Sequence, residues 1–278
     1  MKHYGLIGYP LGHSFSQKFF TEKFAQENID ADYQLFPIEQ IDLFPTLLAE
    51  NPNLCGLNVT IPYKEKIIPF LDELDETARE IGAVNVIKLV LPVIAGSTRN
   101  PIGQEEQRGL RVKPAMTETQ KPAMTELTLK GYNSDVIGFE NSLKPLLQPH
   151  HKKALILGTG GAAKGVAYIL RKLSIHYIIV SRTPKSGQIS YADINADLLR
   201  DYTLIINTTP IGTFPKTDVC PDIPYKELTN KHLLYDLIYN PEKTLFLQRG
   251  EAQGATIKNG LEMLHGQALA AWDIWERG

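Results

Sequence analysis

The stretch LILGTGGAAKG, residues 155–165, decides the fold. Its first three residues continue an apolar run, Gly158, Gly160 and Gly161 follow at once, and an alanine-rich segment of helical character comes next. Between a strand and a helix such glycines have separate tasks. The first makes the tight turn, and the second lets backbone approach a pyrophosphate lying against the helix N-terminus. A glycine turn needed only for packing is the weaker reading, because the motif opens a full α/β rhythm. KALILG, a helix over AAKGVAYILRKL, then HYIIVS and TLIINTT follow in order from Lys153.

The strand HYIIV ends in Ser181, Arg182, Thr183, Pro184 and Lys185, and no acidic residue appears until Asp193. An NAD site places Asp or Glu near this point for the ribose diol, whereas an NADP site uses Arg and hydroxyl groups that hold the 2′-phosphate. NADP is favoured, with ordinary solvated loop charges as the alternative for Arg182 and Lys185. Further on, LIINTTPIG delivers Asn207, Thr208, Thr209 and Gly212 to the end of another strand. Ligands of an open parallel sheet bind there, so these residues would border the nicotinamide half of the cofactor.

Outward from this unit, the same alternation runs from residue 4: YGLIGY, ADYQLFPI, LCGLNVTI and AVNVIKLV alternate with helix-like SQKFFTEKFAQEN and DELDETAREIG. Alternation of this kind predicts βαβ units, a mostly parallel sheet and a second α/β domain. The 278 residues suffice for two ordinary domains. A formal net charge of −2 leaves no global field to draw the chain to nucleic acid or anionic membrane, which favours a small-molecule partner. Cys55 and Cys220 are the only cysteines and have no metal-type neighbours, so neither a disulfide framework nor a zinc site is expected, and both read as buried fillers. The opening MKHYGLIGYP has no signal- or transit-peptide pattern and no apolar run reaches membrane-spanning length, so the protein is expected to be cytoplasmic.

From about Leu91 to Leu129 the chain is irregular and rich in Pro, Thr, Gly and charge, with KPAMTE at 113–118 repeated at 121–126. So long a stretch without apolar periodicity reads as a surface insertion between two strands, with a binding role as the alternative.

A second set of residues points to chemistry in the first half. NVTIPYKE, residues 58–65, ends an apolar run on a proline and then sets Lys64 in what reads as the first turn of a helix, where the dipole disfavours a cation. A cleft lysine so placed needs a carboxylate to favour its charged form, and GYNSD at 131–135 offers Asp135. Opposed influences of this kind suit proton transfer. In GYPLGHSFSQKFF, Ser14 and Ser16 fall beside a helix start and would make a small anion site suited to a carboxylate, the alternative being that Ser16 is just a cap. Thr60 shares a strand face with Asn58, and Asn85 lies near the end of GAVNV. The C-terminal GLEMLHGQALAAWDIWERG carries an apolar stripe through Leu261, Leu264, Ala268, Ala271 and Trp275. Gln267 sits beside it, with a ligand contact and a backbone bond both open.

Together these segments resemble the shikimate dehydrogenase family over nearly the whole chain apart from the insertion. The markers, in the family's order, are GYPLGHSFS, GLNVTIPYKE, GAVNV, GYNSDVIGF, GTGGAAKG, SRT, NTTPIG, YDLIYNP and NGLEMLHGQA. The resemblance implies that Ser14, Ser16, Thr60, Asn85, Tyr239 and Gln267 bind shikimate. It makes Lys64 and Asp135 the catalytic pair at the ring hydroxyl that is oxidised. It also implies that Gly158, Gly160, Gly161, Ala162, Arg182, Thr183 and Lys185 hold NADP, with Leu237 and Gly260 near the nicotinamide, and that no metal is needed. The family fold would give an N-terminal substrate-binding α/β domain over 1–134, a Rossmann domain over 135–260, and a C-terminal helix over 261–278 returning to the first domain, as a monomer or homodimer. The chain departs from the pattern at Gln17, Ser134, Thr159 and Ser181, where Pro, Thr, Ala and Asn are usual, and in the insertion. The rivals are a quinate/shikimate dehydrogenase preferring NAD, which Arg182 and Thr183 argue against, and a catalytically silent ligand sensor, which predicts loss of Lys64 or Asp135.

Overall fold

The computed structural model describes residues 1–12, 14–90 and 127–277, which form two six-stranded sheets with helices packed against them. The first sheet is built from β1 (Lys2–Gly8), β2 (Ala31–Pro37), β3 (Leu54–Val59), β4 (Glu73–Leu74), β5 (Val86–Val90) and β6 (Thr128–Tyr132), in the order β2-β1-β3-β5-β6-β4. Its helices are α1 (Phe15–Gln26), α2 (Phe44–Glu50) and α3 (Glu76–Ile81). Then come α4 (Asp135–Leu143), β7 (Lys153–Leu157), α5 (Gly161–Lys172), β8 (His176–Val180), β9 (Gln188–Ile189), α6 (Ala196–Asp201) and β10 (Leu204–Asn207). The chain continues through β11 (Leu233–Asp236), α7 (Leu245–Glu251), β12 (Thr256–Lys258) and α8 (Leu261–Glu276).

The second sheet runs β12-β11-β10-β7-β8-β9 and is parallel throughout. Its strand order reverses between β7 and β10, the place where a doubly wound sheet opens a crevice beyond its carboxyl ends. Leu155, Ile156, Leu157, Leu204, Ile205 and Ile206 are fully buried, as central strands covered on both faces require. The α/β expectation therefore holds, and here the parallel one does too.

The first sheet is also mostly parallel, β1 pairing parallel with β2 and β3, and β4 with β6, but it is mixed: β3–β5 and β5–β6 are antiparallel. Hydrophobic alternation marks strands without giving their direction, and antiparallel neighbours need no crossover helix. Val90 lies opposite Thr128, so residues 91–127 join the two ends of one strand pair. The insertion placed at about 91–129 is shorter at its far end, because Thr128 and Leu129 already belong to β6. The KPAMTE duplication lies outside the described residues.

Helix α8 returns across the first sheet. Trp275 donates from Nε1 to the Ile87 carbonyl at 3.0 Å and packs so closely on Gly56 that any Cβ there would strike the indole. Ala268, Ala271 and Trp275 of the predicted stripe are buried, whereas Leu261 is exposed. Helix α4 crosses α8 at glycine: a side chain on Gly138 would collide with the Met263 carbonyl. On its other side α4 contributes Val136, Phe139 and Leu143 to the core that covers β7. Cys55 and Cys220 are unpaired and only half-buried, which corrects their reading as buried fillers.

Candidate active site

Lys64 is held by a turn rather than by a helix, which corrects the first-turn expectation. Pro62 and Pro69 bracket the segment, and the proline at 69 has no N–H to extend a helix. Ile67 closes one α-type turn on the Tyr63 carbonyl at 2.9 Å, Ile68 reaches back to Glu65 at 3.4 Å, and only a 3-10 helix over Ile68–Phe70 follows. Tyr63 and Ile67 bury their side chains and pin the turn, the Tyr63 hydroxyl donating to the Ile38 carbonyl at 2.6 Å. The Lys64 carbonyl accepts from the Val84 N–H at 2.7 Å. Placement against this core, with no helix dipole involved, directs the ammonium outward.

The Lys64 ammonium donates to Asp135 Oδ2 at 2.6 Å. Asp135 opens α4, where the free N–H groups and the dipole favour a carboxylate. Asn85 fixes the other oxygen: its Nδ2 donates to Asp135 Oδ1 at 2.8 Å and to Ser134 Oγ at 3.0 Å, while its Oδ1 accepts from the Ser134 N–H at 2.7 Å. With 4% exposure and both amide hydrogens committed, Asn85 here orients Asp135 rather than offering a free donor to a ligand.

Two cavities meet at this pair. The first, of about 330 Å³, is lined by Ser14, Ser16, Thr60, Asn85, Tyr239 and Gln267, together with Lys64 and Asp135. All eight residues singled out for substrate or catalysis thus share one cavity wall. Ser14 is the N-cap of α1, its Oγ accepting from the Gln17 N–H at 3.3 Å, so the cap is Ser14 and Ser16 lies inside the first turn. Tyr33, its ionisation pushed far up by burial, donates to Asn58 Oδ1 at 2.7 Å beneath the floor. Tyr239 is 44% exposed at the rim, its ring 6.5 Å from that of Phe15.

The second cavity, of about 410 Å³, has Lys64 and Asp135 on one side and Gly161, Ala162 and Val166 of α5 on the other, with Phe139 and Met263 among its apolar lining. Gly158 precedes α5 with φ +112°, and a Cβ there would stand 2.8 Å from Thr208 Oγ1. Gly160 caps α5 with open space where a Cβ would stand, so the helix N-terminus is clear for an anion. Lys164 bridges back to Glu65 at 2.7 Å, tying α5 to the Lys64 turn.

The remaining cofactor candidates fall around the same crevice. Arg182, Thr183 and Lys185 are exposed after β8, and the Thr183 N–H donates to Ser181 Oγ at 3.2 Å. Thr208 spends its hydroxyl on the Leu157 carbonyl at 2.7 Å and so joins the β7 and β10 loops. Asn207 has no exposed surface and commits its amide to Asp236 and Thr209, which places it under the loop and not at a ligand surface. Leu237 and Gly260 are in contact, a Cβ on Gly260 being excluded by the Leu237 carbonyl. Sequence reasoning missed Met263 and Phe139, whose apolar character gave no signal beyond packing, and Asp236, which lay inside the marker YDLIYNP without a role. Among the described residues no group of three or more His, Cys, Asp or Glu is placed to hold a metal, and no helix is long and apolar enough to cross a membrane.

Comparison with known proteins points to one family. A family model described as the shikimate dehydrogenase substrate binding domain matches residues 6–87. The NADP(+) shikimate dehydrogenase of Methanosphaera stadtmanae is 33% identical over 98% of this chain and 90% of its own length. A shikimate dehydrogenase crystallised in complex with NADP+ is 30% identical with a TM-score of 0.75, covering 99% of this chain and 90% of that one. The Thermus thermophilus enzyme, solved with NADP(H) and shikimate, is 25% identical with a TM-score of 0.76, over 99% of this chain and 94% of its own. With this identity spread along almost its whole length, the chain belongs to the shikimate dehydrogenase family.

Proposed function

We propose that the protein catalyses the reversible NADP-dependent interconversion of 3-dehydroshikimate and shikimate, an oxidoreductase step of aromatic amino-acid biosynthesis. The observation that carries this reading is the meeting of a polar cavity and a glycine-turn crevice at one ion pair, Lys64 Nζ to Asp135 Oδ2 at 2.6 Å. Relatives named for this activity and cofactor support it.

In this reading Ser14 and Ser16 at the start of α1 take the substrate carboxylate, and Thr60, Tyr239 and Gln267 hold the ring hydroxyls. The chain's residues fit a dinucleotide phosphate: the α5 N-terminus is unobstructed, the turn before it is one that only glycine makes without strain, and cationic residues follow β8. Gly158, Gly160, Gly161 and Ala162 would hold the pyrophosphate, Arg182, Thr183 and Lys185 the 2′-phosphate, with Thr208, Leu237 and Gly260 beside the nicotinamide. Bound there, NADP+ would accept the hydride and NADPH would supply it. Lys64 and Asp135 hold the reacting hydroxyl and move its proton, and Asn85 keeps the Asp135 carboxylate turned toward Lys64.

The same proposal divides the chain into a substrate domain, 1–134 with the helix 261–278, and an NADP domain, 135–260. It is supported by the separate sheets and by the packing of α8 on Gly56 and Ile87. A cytoplasmic monomer or homodimer is the setting it implies. The test follows reduced-cofactor absorbance with shikimate and NADP, shikimate and NAD, and quinate with each. Turnover strongly favouring shikimate with NADP is expected. A folded protein that turns over no pair contradicts the reading and favours a ligand sensor.

A further inference from the structure

A single buried carboxylate ties together the two loops that border the cofactor crevice. Asp236, the last residue of β11, has no exposed surface. It accepts from Asn207 Nδ2 at 3.0 Å, from the Ile238 N–H at 3.1 Å and from Thr244 Oγ1 at 2.6 Å. Asn207 Oδ1 accepts in turn from the Thr209 N–H at 3.0 Å and the Thr209 hydroxyl at 2.6 Å. A continuous chain therefore runs from Thr209 through Asn207 and Asp236 to Thr244. The Leu237 N–H donates to the Asn207 carbonyl at 3.0 Å and reinforces it.

Burying an ionisable group is costly, and an apolar residue could fill the end of a strand whose Leu233, Leu234 and Tyr235 are already buried. Desolvation pushes the Asp236 carboxyl up to about 6 even though three hydrogen bonds pull it down. What the carboxylate supplies is connection: one loop carries Thr208 at the β7–β10 crevice, the other carries Leu237 and then Tyr239 at the rim of the polar cavity.

We propose that Asp236 is a positioning residue for the cofactor, locking the loop after β10 to the loop after β11 so that Thr208 and Leu237 hold the nicotinamide end facing Lys64 and Asp135. This rests on the NADP reading above.

Asparagine and leucine at this position separate connection from charge. In Asp236→Asn, Oδ1 keeps both N–H donors, and the new amide can donate to Thr244 Oγ1, whose hydroxyl rotates to accept. Asp236→Leu removes every link. The experiment is titration calorimetry of the full-length protein with NADP and, separately, with shikimate. For Asp236→Leu, NADP affinity should fall ~10–100-fold and shikimate affinity, reached only through Tyr239 on the same loop, by clearly less, and Asp236→Asn should restore most of the NADP affinity. Thr244→Val, which keeps the β-branched shape, should weaken NADP by ~10-fold and more than it weakens shikimate, and decides the matter if the leucine variant does not fold. NADP affinity within twofold of wild type in the folded leucine or valine variant overturns the proposal, as does equal weakening of both ligands. Failure of the wild-type protein to turn over shikimate contradicts the functional reading instead, and calorimetry still decides the role of Asp236.

Discussion

Lys64 Nζ lies 2.6 Å from Asp135 Oδ2, across 71 residues of sequence, and the two side chains form the wall common to both cavities. Each is held from behind: Lys64 by a turn anchored on Tyr63 and Ile67, Asp135 by Asn85 and the start of α4. An ammonium and a carboxylate so fixed would need little reorganisation to act on a substrate hydroxyl placed between the two cavities, as the proposed reaction requires. Because both side chains are only partly buried, their value lies in placement more than in stability.

The residues after β8 should set cofactor choice. Replacing Arg182 or Lys185 by Ala removes a cation from the expected 2′-phosphate site. Hydrogen bonds to charged groups are worth ~1.5–3 kcal/mol, so the KM for NADP should rise ~10–100-fold. The KM for NAD, which lacks that phosphate, should stay within a few fold in the same assay. Equal losses with both cofactors would place these side chains elsewhere.

The glycine turn should tolerate no side chain. Gly158 has φ +112° and a Cβ there would stand 2.8 Å from Thr208 Oγ1. Gly158→Ala should therefore cost ~1–3 kcal/mol of stability in a denaturant titration and weaken NADP binding more than shikimate binding.

The sequence made this crevice readable because glycine is demanded by backbone conformation, a local property that spacing reveals. The ion pair was readable too, since a lysine and an acid beside strand ends advertise chemistry. Three things were not. Strand direction in the first sheet is invisible to periodicity, so the antiparallel β3–β5–β6 run was missed. The turn around Lys64 read as a helix because Pro62 suits a first helical turn, and Pro69, without an N–H to extend it, cut the segment to a turn and a 3-10 helix. Asn85 and Asn207 were marked as ligand contacts, yet each spends its amide inside the protein. A buried amide announces that it has partners without announcing which.

Asp236 should leave a mark on acid stability. Its carboxyl is pushed from an ordinary 3.8 up to about 6 by burial. Between these values the folded protein holds a proton that the unfolded chain has lost, so this group makes stability fall as pH rises from about 4 to about 6, with no further change above. Tyr225, which also faces it, stays neutral in this range, its own ionisation pushed further up by burial. About 2 pH units at about 1.4 kcal/mol each amounts to roughly 3 kcal/mol. Unfolding free energies of wild type and Asp236→Asn, measured from pH 4 to 7, should diverge by an amount of this order, with the asparagine variant relatively more stable at pH 7. Parallel curves would show the carboxyl to titrate normally.

Residues 91–126 should be dispensable for turnover, since Val90 and Thr128 already face each other across the β5–β6 pair. Replacing them by a short Asn-Gly turn should leave kcat and both KM values within a few fold of wild type. A selective loss of shikimate affinity would assign the segment to the substrate cavity.

The measurement closest to the central claim is the turnover of Lys64→Ala, taken with its shikimate affinity by calorimetry and its fold by circular dichroism. The account predicts a folded protein that still binds shikimate and has lost ~10²–10⁴ in kcat, the usual worth of a general acid–base group. Near-normal turnover from that folded variant would contradict it and move the proton transfer away from the meeting point of the two cavities.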